Sequence, residues 1–293
     1  MKKLLFWILI LAHFKINAII ILVHGTFANG SKWWQPGGDF YQALEQETIK
    51  LNERIHLLNW TGALNNIARI RAAKDLAELV LTLEMGYPNE KIIIIGHSFG
   101  GNVINLASKL LYHIESIPSF SSFEDTAEFV QAYRDLTKLR TKKCCKNLIE
   151  IVYLLGTPID LDQFHPNMYV IKHLFNLFSS NDKVQSVLGF YGKKVENLQR
   201  IANFEIIIRD AQVATGFPNH IQMHHPIIAQ SILYIPFGFK EQKIGGFDLF
   251  DWDECGTIEF AHEKPPLYTA IQKAEKVEPI IKDLEVCHIS LWS

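Results

Sequence analysis

A serine that is to act as a nucleophile at neutral pH needs a base to take its proton and a carboxylate to orient that base. It also needs N–H groups aimed where an oxyanion will form. The first candidate for such chemistry is Ser98, in Gly96-His97-Ser98-Phe99-Gly100. This G-x-S-x-G spacing has a mechanical meaning when a strand leads into it and a helix leaves it, because the turn then pushes the serine out at the end of a sheet. Both flanks are present. Ile92 to Ile95 are β-branched and apolar with no polar alternation, the pattern of a strand buried on both faces. A helix is predicted from Asn102 to Tyr112. A Cβ at Gly96 or Gly100 would crowd the neighbouring strand and helix.

The elements that must position partners for Ser98 alternate along the chain. Strands are predicted at 19–23, 54–60, 148–155, 173–178 and 204–209, and helices at 40–51, 63–85, 124–140 and 226–234. That alternation predicts a parallel sheet with helices on both faces. In such sheets ligands sit at the carboxyl ends of the strands. His24-Gly25-Thr26-Phe27, Ser98, Asp182 and His220 each follow a predicted strand. Asp160, Asp162 and Asp210 compete with Asp182 as the acid, and His224 and His225 compete with His220 as the base. His220 and His224 have the i, i+4 spacing of a helical metal pair. No carboxylate lies between them as in H-E-x-x-H, and Pro226 places the helix start after them, so no metal is expected.

Taken together, His24-Gly25-Thr26, Gly96-His97-Ser98-Phe99-Gly100-Gly101, Leu155-Gly156-Thr157-Pro158 and the order Ser…Asp…His resemble an α/β-hydrolase, in particular lipase- and esterase-like members with an H-G-T segment. The resemblance covers residues 19–235. It implies Ser98 as nucleophile, Asp182 as acid and His220 as base, the histidine that lies several residues before a helix. It implies oxyanion donors from the main chain of Phe99 and of Thr26 or Phe27, with Gly25 allowing close backbone approach. His24 and His97 would be packing residues of the two motif loops. The activity implied is cleavage of carboxylic esters, small or lipid, through an acyl-enzyme with no cofactor. Contact with a membrane surface stays open. Thioester, amide or peptide cleavage by the same residues is the alternative, as is a non-catalytic binding protein on the same fold. The chain departs from the pattern in lacking two leading strands and in carrying a tail beyond residue 236.

Composition bounds the remainder. The chain has 293 residues, 48% hydrophobic and 20% charged, with formal net charge −2. There is no basic stripe for nucleic acid. Lys2 and Lys3 before the apolar run Leu4 to Ala12 read as a leader, so export or N-terminal anchoring is expected. The domain reading is a leader at 1–18, a hydrolase-like domain at 19–236 and an extension at 237–293. That extension would be added strands, a cap or a partner surface. Export permits disulfides, and Cys255 with Cys287 is the candidate pair; Cys144 and Cys145 are adjacent, and there is no C-x-x-C. Phe27, Trp33, Trp34, Phe40 and Phe99 would either line an acyl pocket or pack the loop after the first strand.

Overall fold

The computed structural model describes residues 18–51, 53–112, 118, 120–139, 145–159, 161–184, 201–210, 214–233, 235, 243–244, 247–248, 256–261 and 267–270. Residues 1–17 of the leader expected at 1–18 lie outside them, as do Cys144, Cys255, Cys287 and Asp160; Ala18 is the first residue of the first strand. The strands are β1 (Ala18–Val23), β2 (Arg54–Leu58), β3 (Lys91–His97), β4 (Ile149–Leu155), β5 (Ile171–Phe178), β6 (Ile201–Asp210) and β7 (Ala214–Gly216). Two short strands, β8 (Lys243–Ile244) and β9 (Phe247–Asp248), pair with each other. In the tail, β10 spans Gly256–Ala261 and β11 spans Leu267–Ala270. The helices are α1 (Asp39–Leu51), α2 (Asn66–Gly86), α3 (Phe99–Leu110), α4 (Phe123–Thr137), a single turn α5 (Leu161–Phe164) and α6 (Pro226–Ile232).

The main sheet runs β2-β1-β3-β4-β5-β6, all parallel. β10 continues it in parallel beside β6, β11 closes the edge antiparallel, and β7 folds back on β6. Of the three expectations for the tail, added strands describe β10 and β11. The chain moves outward from β1 to β2, then returns to place β3 on the other side of β1 and proceeds the opposite way. The order therefore reverses between β1 and β3, which opens a crevice at their carboxyl ends.

The isoleucine runs make this sheet a two-sided core. Side chains alternate across a strand. Ile92 and Ile94 join Ile19, Ile21 and Val23 under helices α2, α3 and α4, through Ile70, Leu76, Val103 and Phe129. Ile93 and Ile95 join Ile20 and Leu22 on the other face, where α1 and α6 supply Phe40, Leu44, Ile227 and Ile232. Helix starts follow local chemistry. The Asn65 side chain accepts from Ala68 N at 2.8 Å to cap α2, and Ser122 Oγ accepts from Asp125 N at 3.0 Å to cap α4. None of the described helices is long and apolar enough to cross a membrane.

α3 begins three residues earlier than predicted, directly at Phe99, so strand and helix are joined by Ser98 alone. The helical apolar spacing hides this, because Gly100 and Gly101 carry no side chain to register it. A Cβ at Gly100 would run into the carbonyl oxygens of Val23 and His24, so the helix N-terminus packs straight onto the end of β1.

Ile94 is fully buried at the centre of this arrangement, whereas Ile55 on the edge strand β2 is only half-buried. Ile94→Ala is expected to lower unfolding free energy by about 2–5 kcal/mol, and Ile55→Ala by distinctly less, as read from denaturant midpoints. Equal losses would show that β3 is not the core strand.

Candidate active site

Ser98 sits at φ 53°, ψ −133°, a conformation that non-glycine residues rarely adopt. Two main-chain bonds hold it there. Its N–H donates to Leu155 O on the neighbouring strand at 2.8 Å, and its carbonyl accepts from Gly101 N at 3.0 Å. The side chain is thereby set at the carboxyl edge of the sheet, at the mouth of the crevice between β1 and β3.

Asp182 and His220 arrive from two loops on the same edge. Asp182 follows β5, is fully buried, and accepts the Nδ1–H of His220 on Oδ2 at 2.8 Å. With Nδ1 donating, Nε2 is the free lone pair, and it lies 2.9 Å from Ser98 Oγ. The loops are tied together by Asn181, whose amide donates to Phe217 O at 3.1 Å. Gly156, at φ 56°, forms the floor beneath the pair. A Cβ there would stand 2.9 Å from Asp182 Oδ2 and 3.4 Å from His220 Nδ1, so no larger residue leaves the aspartate room. The expected acid and base are thus brought to the expected serine. The side chains of Asp162 and Asp210 are not described.

The two competing histidines have other occupations. His225 caps α6, its Nδ1 accepting from Ile227 N at 3.3 Å. The ring of His224 lies flat on Trp33, with centroids 4.5 Å apart and planes 7° from parallel. Trp33 and His224 in turn wall in His97, edge-on at 5.2 and 5.0 Å. His97 Nε2 is 3.1 Å from the carbonyl of His220, so it carries the proton and donates, gripping the base by its main chain. Its Nδ1 is buried without a hydrogen-bond partner among the described residues. Burial, with repulsion from His224 and His220, holds His97 well below the usual imidazole range. The base is therefore surrounded by neutral rings. From the sequence, His97 reads as a packing residue alone. Its grip on His220 depends on a contact between distant loops, for which residue types give no signal.

The loop after β1 corrects one expectation. The N–H of Phe27 donates to Gly62 O at 2.9 Å, so it is not free to meet an oxyanion. Of the two residues expected to donate from this loop, Thr26 remains. Gly25 brings the loop hard against the serine: a Cβ there would lie 2.7 Å from Ser98 Cβ and 3.3 Å from Oγ. His24 is buried, with Nδ1 donating to Gly25 O at 2.8 Å and its ring between Trp34 and Trp60. On the other side, the N–H of Phe99 is the first of α3. Helix geometry leaves the first N–H groups without intrahelical acceptors, with the positive end of the helix dipole behind them. The Phe99 ring is pinned by the Arg69 guanidinium, 4.7 Å from its centroid.

Of the five aromatics expected to line a pocket or pack the loop, Trp34 and Phe40 are buried packing residues. Trp34 Nε1 donates to Ala28 O at 2.8 Å. Phe27 alone points fully outward. Among the described residues no group of three or more His, Cys, Asp or Glu side chains is placed to hold a metal ion.

A sequence model of the alpha/beta hydrolase fold matches residues 18–120, the segment from β1 through the serine turn and α3. The chain has an α/β-hydrolase fold. Solved structures similar to it include a cutinase-like protein from Cryptococcus sp., 14% identical, covering 75% of this chain and 94% of that one with a TM-score of 0.40. A lipase from Bacillus licheniformis is likewise 14% identical, covering 76% of this chain and 92% of its own with a TM-score of 0.42. No curated protein sequence matches the chain. The loops after β1, β3 and β5 carry His24-Gly25-Thr26, Ser98 and Asp182, and His220 follows β7, the short strand that folds back on β6.

Burial and repulsion from His220 and His225 lower His224 to about 4, against a main-chain hydrogen bond that raises it. The unfolded ring binds a proton below about 6.5, so between pH 6.5 and 4 the unfolded state holds more protons and stability falls as pH falls. Glu53, which burial raises to about 7, acts in the opposite sense. The difference between wild type and His224→Gln isolates the histidine. That stability difference is expected to shrink from pH 7 to pH 4.5 in denaturant titrations. A difference independent of pH would mean that His224 protonates alike in both states.

Proposed function

We propose that the protein is a serine hydrolase that cleaves carboxylic esters through an acyl-enzyme on Ser98. The observation that carries this reading is the unbroken chain from Asp182 Oδ2 to His220 Nδ1 at 2.8 Å and from His220 Nε2 to Ser98 Oγ at 2.9 Å. It ends on a serine held in strained geometry at a helix N-terminus. A fold used only for binding has no need of a buried carboxylate to set the tautomer of a histidine on a serine.

Ser98 Oγ attacks the ester carbonyl carbon as His220 Nε2 takes its proton. Negative charge gathers on the carbonyl oxygen, which faces the N–H groups of Phe99 and Thr26. Collapse breaks the bond to the alcohol, and Nε2–H returns the proton to the departing alkoxide. A water then enters, gives its proton to Nε2, and attacks the acyl carbon. Ser98 leaves with the proton from Nε2, and the acid product is released. Throughout, Asp182 holds the Nδ1–H and offsets the charge on the imidazolium. His97 and His224 matter because they stay neutral: a second positive ring beside His220 would make its protonation costlier.

A fluorophosphonate probe is expected to label wild type and fail to label Ser98→Ala. Turnover of a short-chain nitrophenyl ester is expected to fall by about 10⁴-fold or more in Ser98→Ala and His220→Ala. His224→Ala and His225→Ala should stay within about tenfold of wild type, the scale of indirect effects on a base whose own contacts remain. Labelling that survives Ser98→Ala would sink the assignment of the nucleophile. Near-normal turnover in His220→Ala would move the base elsewhere.

A further inference from the structure

Large apolar side chains stand in solvent on both sides of the serine. Phe27 is 80% exposed and Leu64 52% on the donor-loop side; Ile221 is 71% exposed and Phe217 44% on the base side. Each is tied to the site by a contact already described. Phe27 bonds through its N–H to Gly62, two residues from Leu64. Phe217 accepts from the residue beside Asp182, and Ile221 follows His220 directly.

Two features set these residues apart from scattered surface hydrophobics. First, residues 24–31, 59–66 and 214–223, the stretches that carry them, contain no Asp, Glu, Lys or Arg, although 20% of the chain is charged; beside them stand the exposed Lys32, next along the loop after β1, and Asp125, which accepts from Asn66 Nδ2 at 2.9 Å. Pressing these side chains against an apolar phase strips water from few ions. Second, Phe27 is held outward at φ 58°, where a bulky residue is an outlier. That strain costs on the order of 1–3 kcal/mol and persists only because the Gly62 carbonyl fixes it. An exposed apolar patch of this kind marks an interaction surface. Whatever covers it also covers Ser98. A protein partner seated there would close the mouth, whereas an ester surface would present its own acyl groups to the serine.

We propose that this collar docks on the surface of a neutral, water-insoluble ester aggregate, such as a droplet of long-chain acylglycerol, and that esters in that state are the substrate of Ser98. The inference rests on the ester-hydrolase reading for its meaning but is tested without turnover. Full-length Ser98→Ala protein is mixed with a neutral triacylglycerol emulsion and the droplets are floated. The protein is expected to float with them, and raised salt is expected not to release it. Adding Phe27→Ser and Ile221→Ser together should cut the floating fraction about tenfold or more, with Ile221→Ser alone intermediate. A thermal melt checks that each variant is folded, and Ile221→Ser leaves the Phe27 loop untouched.

Ile49 and Met85 supply the control. They are 72% and 53% exposed at the ends of α1 and α2 that lead into strands, on the opposite edge of the sheet. Ile49→Ser with Met85→Ser should float like the parent. Failure of the parent to float, equal loss in the Ile49/Met85 pair, or binding only to anionic phospholipid vesicles that salt abolishes would each overturn the proposal. Loss of fluorophosphonate labelling in wild type would instead remove the hydrolase reading and leave the flotation result standing.

Discussion

The single residue between β3 and α3 is the constraint on which the site depends. A strand buried on both faces cannot bend, and a helix packed onto the end of β1 cannot retreat, so Ser98 must turn the chain alone at φ 53°. That conformation is tolerable only because Leu155 and Gly101 hold its main-chain groups and because glycines let helix and strand approach. Once the turn is set, the serine side chain and the N–H of Phe99 have fixed directions. The other strands then bring their loops to the same edge.

Around that turn the protein keeps its charges few. His24, His97 and His224 all titrate below the ordinary imidazole value, with burial the leading cause in each. The ion pairs, such as Lys91 with Glu150 and Arg71 with Glu128, lie elsewhere on the molecule. In a site of low polarity the attraction between the Asp182 carboxylate and a protonated His220 is little screened. The same economy extends outward into residues 24–31, 59–66 and 214–223, which contain no Asp, Glu, Lys or Arg.

Much of the scaffold was legible because its signals are local. Unbroken runs such as Ile19 to Val23 and Ile92 to Ile95 can hardly be anything but strands covered on both faces, and strand ends then nominate Asp182 and His220. Strand order was not legible, since pairing joins β1 to both β2 and β3 across long stretches of chain. The identity of the donor loop's working N–H was also hidden. Main-chain groups carry no residue signature, and the bond that removes Phe27 comes from Gly62, in a loop with no motif. Gly156 was visible as part of a Leu-Gly-Thr-Pro segment, but its service as a floor under Asp182 appears only when β4 and β5 are side by side. Strands were one of three readings of the tail, and Thr257-Ile-Glu-Phe alternates over too few residues to single them out.

Ser98 and His220 are 122 residues apart. During synthesis the segment that resembles other members of this fold most clearly, serine turn included, leaves the ribosome well before the loop that carries the histidine exists. At roughly 5–20 residues per second that interval is on the order of 6–24 seconds. Until it has passed, Ser98 has no imidazole beside it, and the contact between the two side chains cannot form.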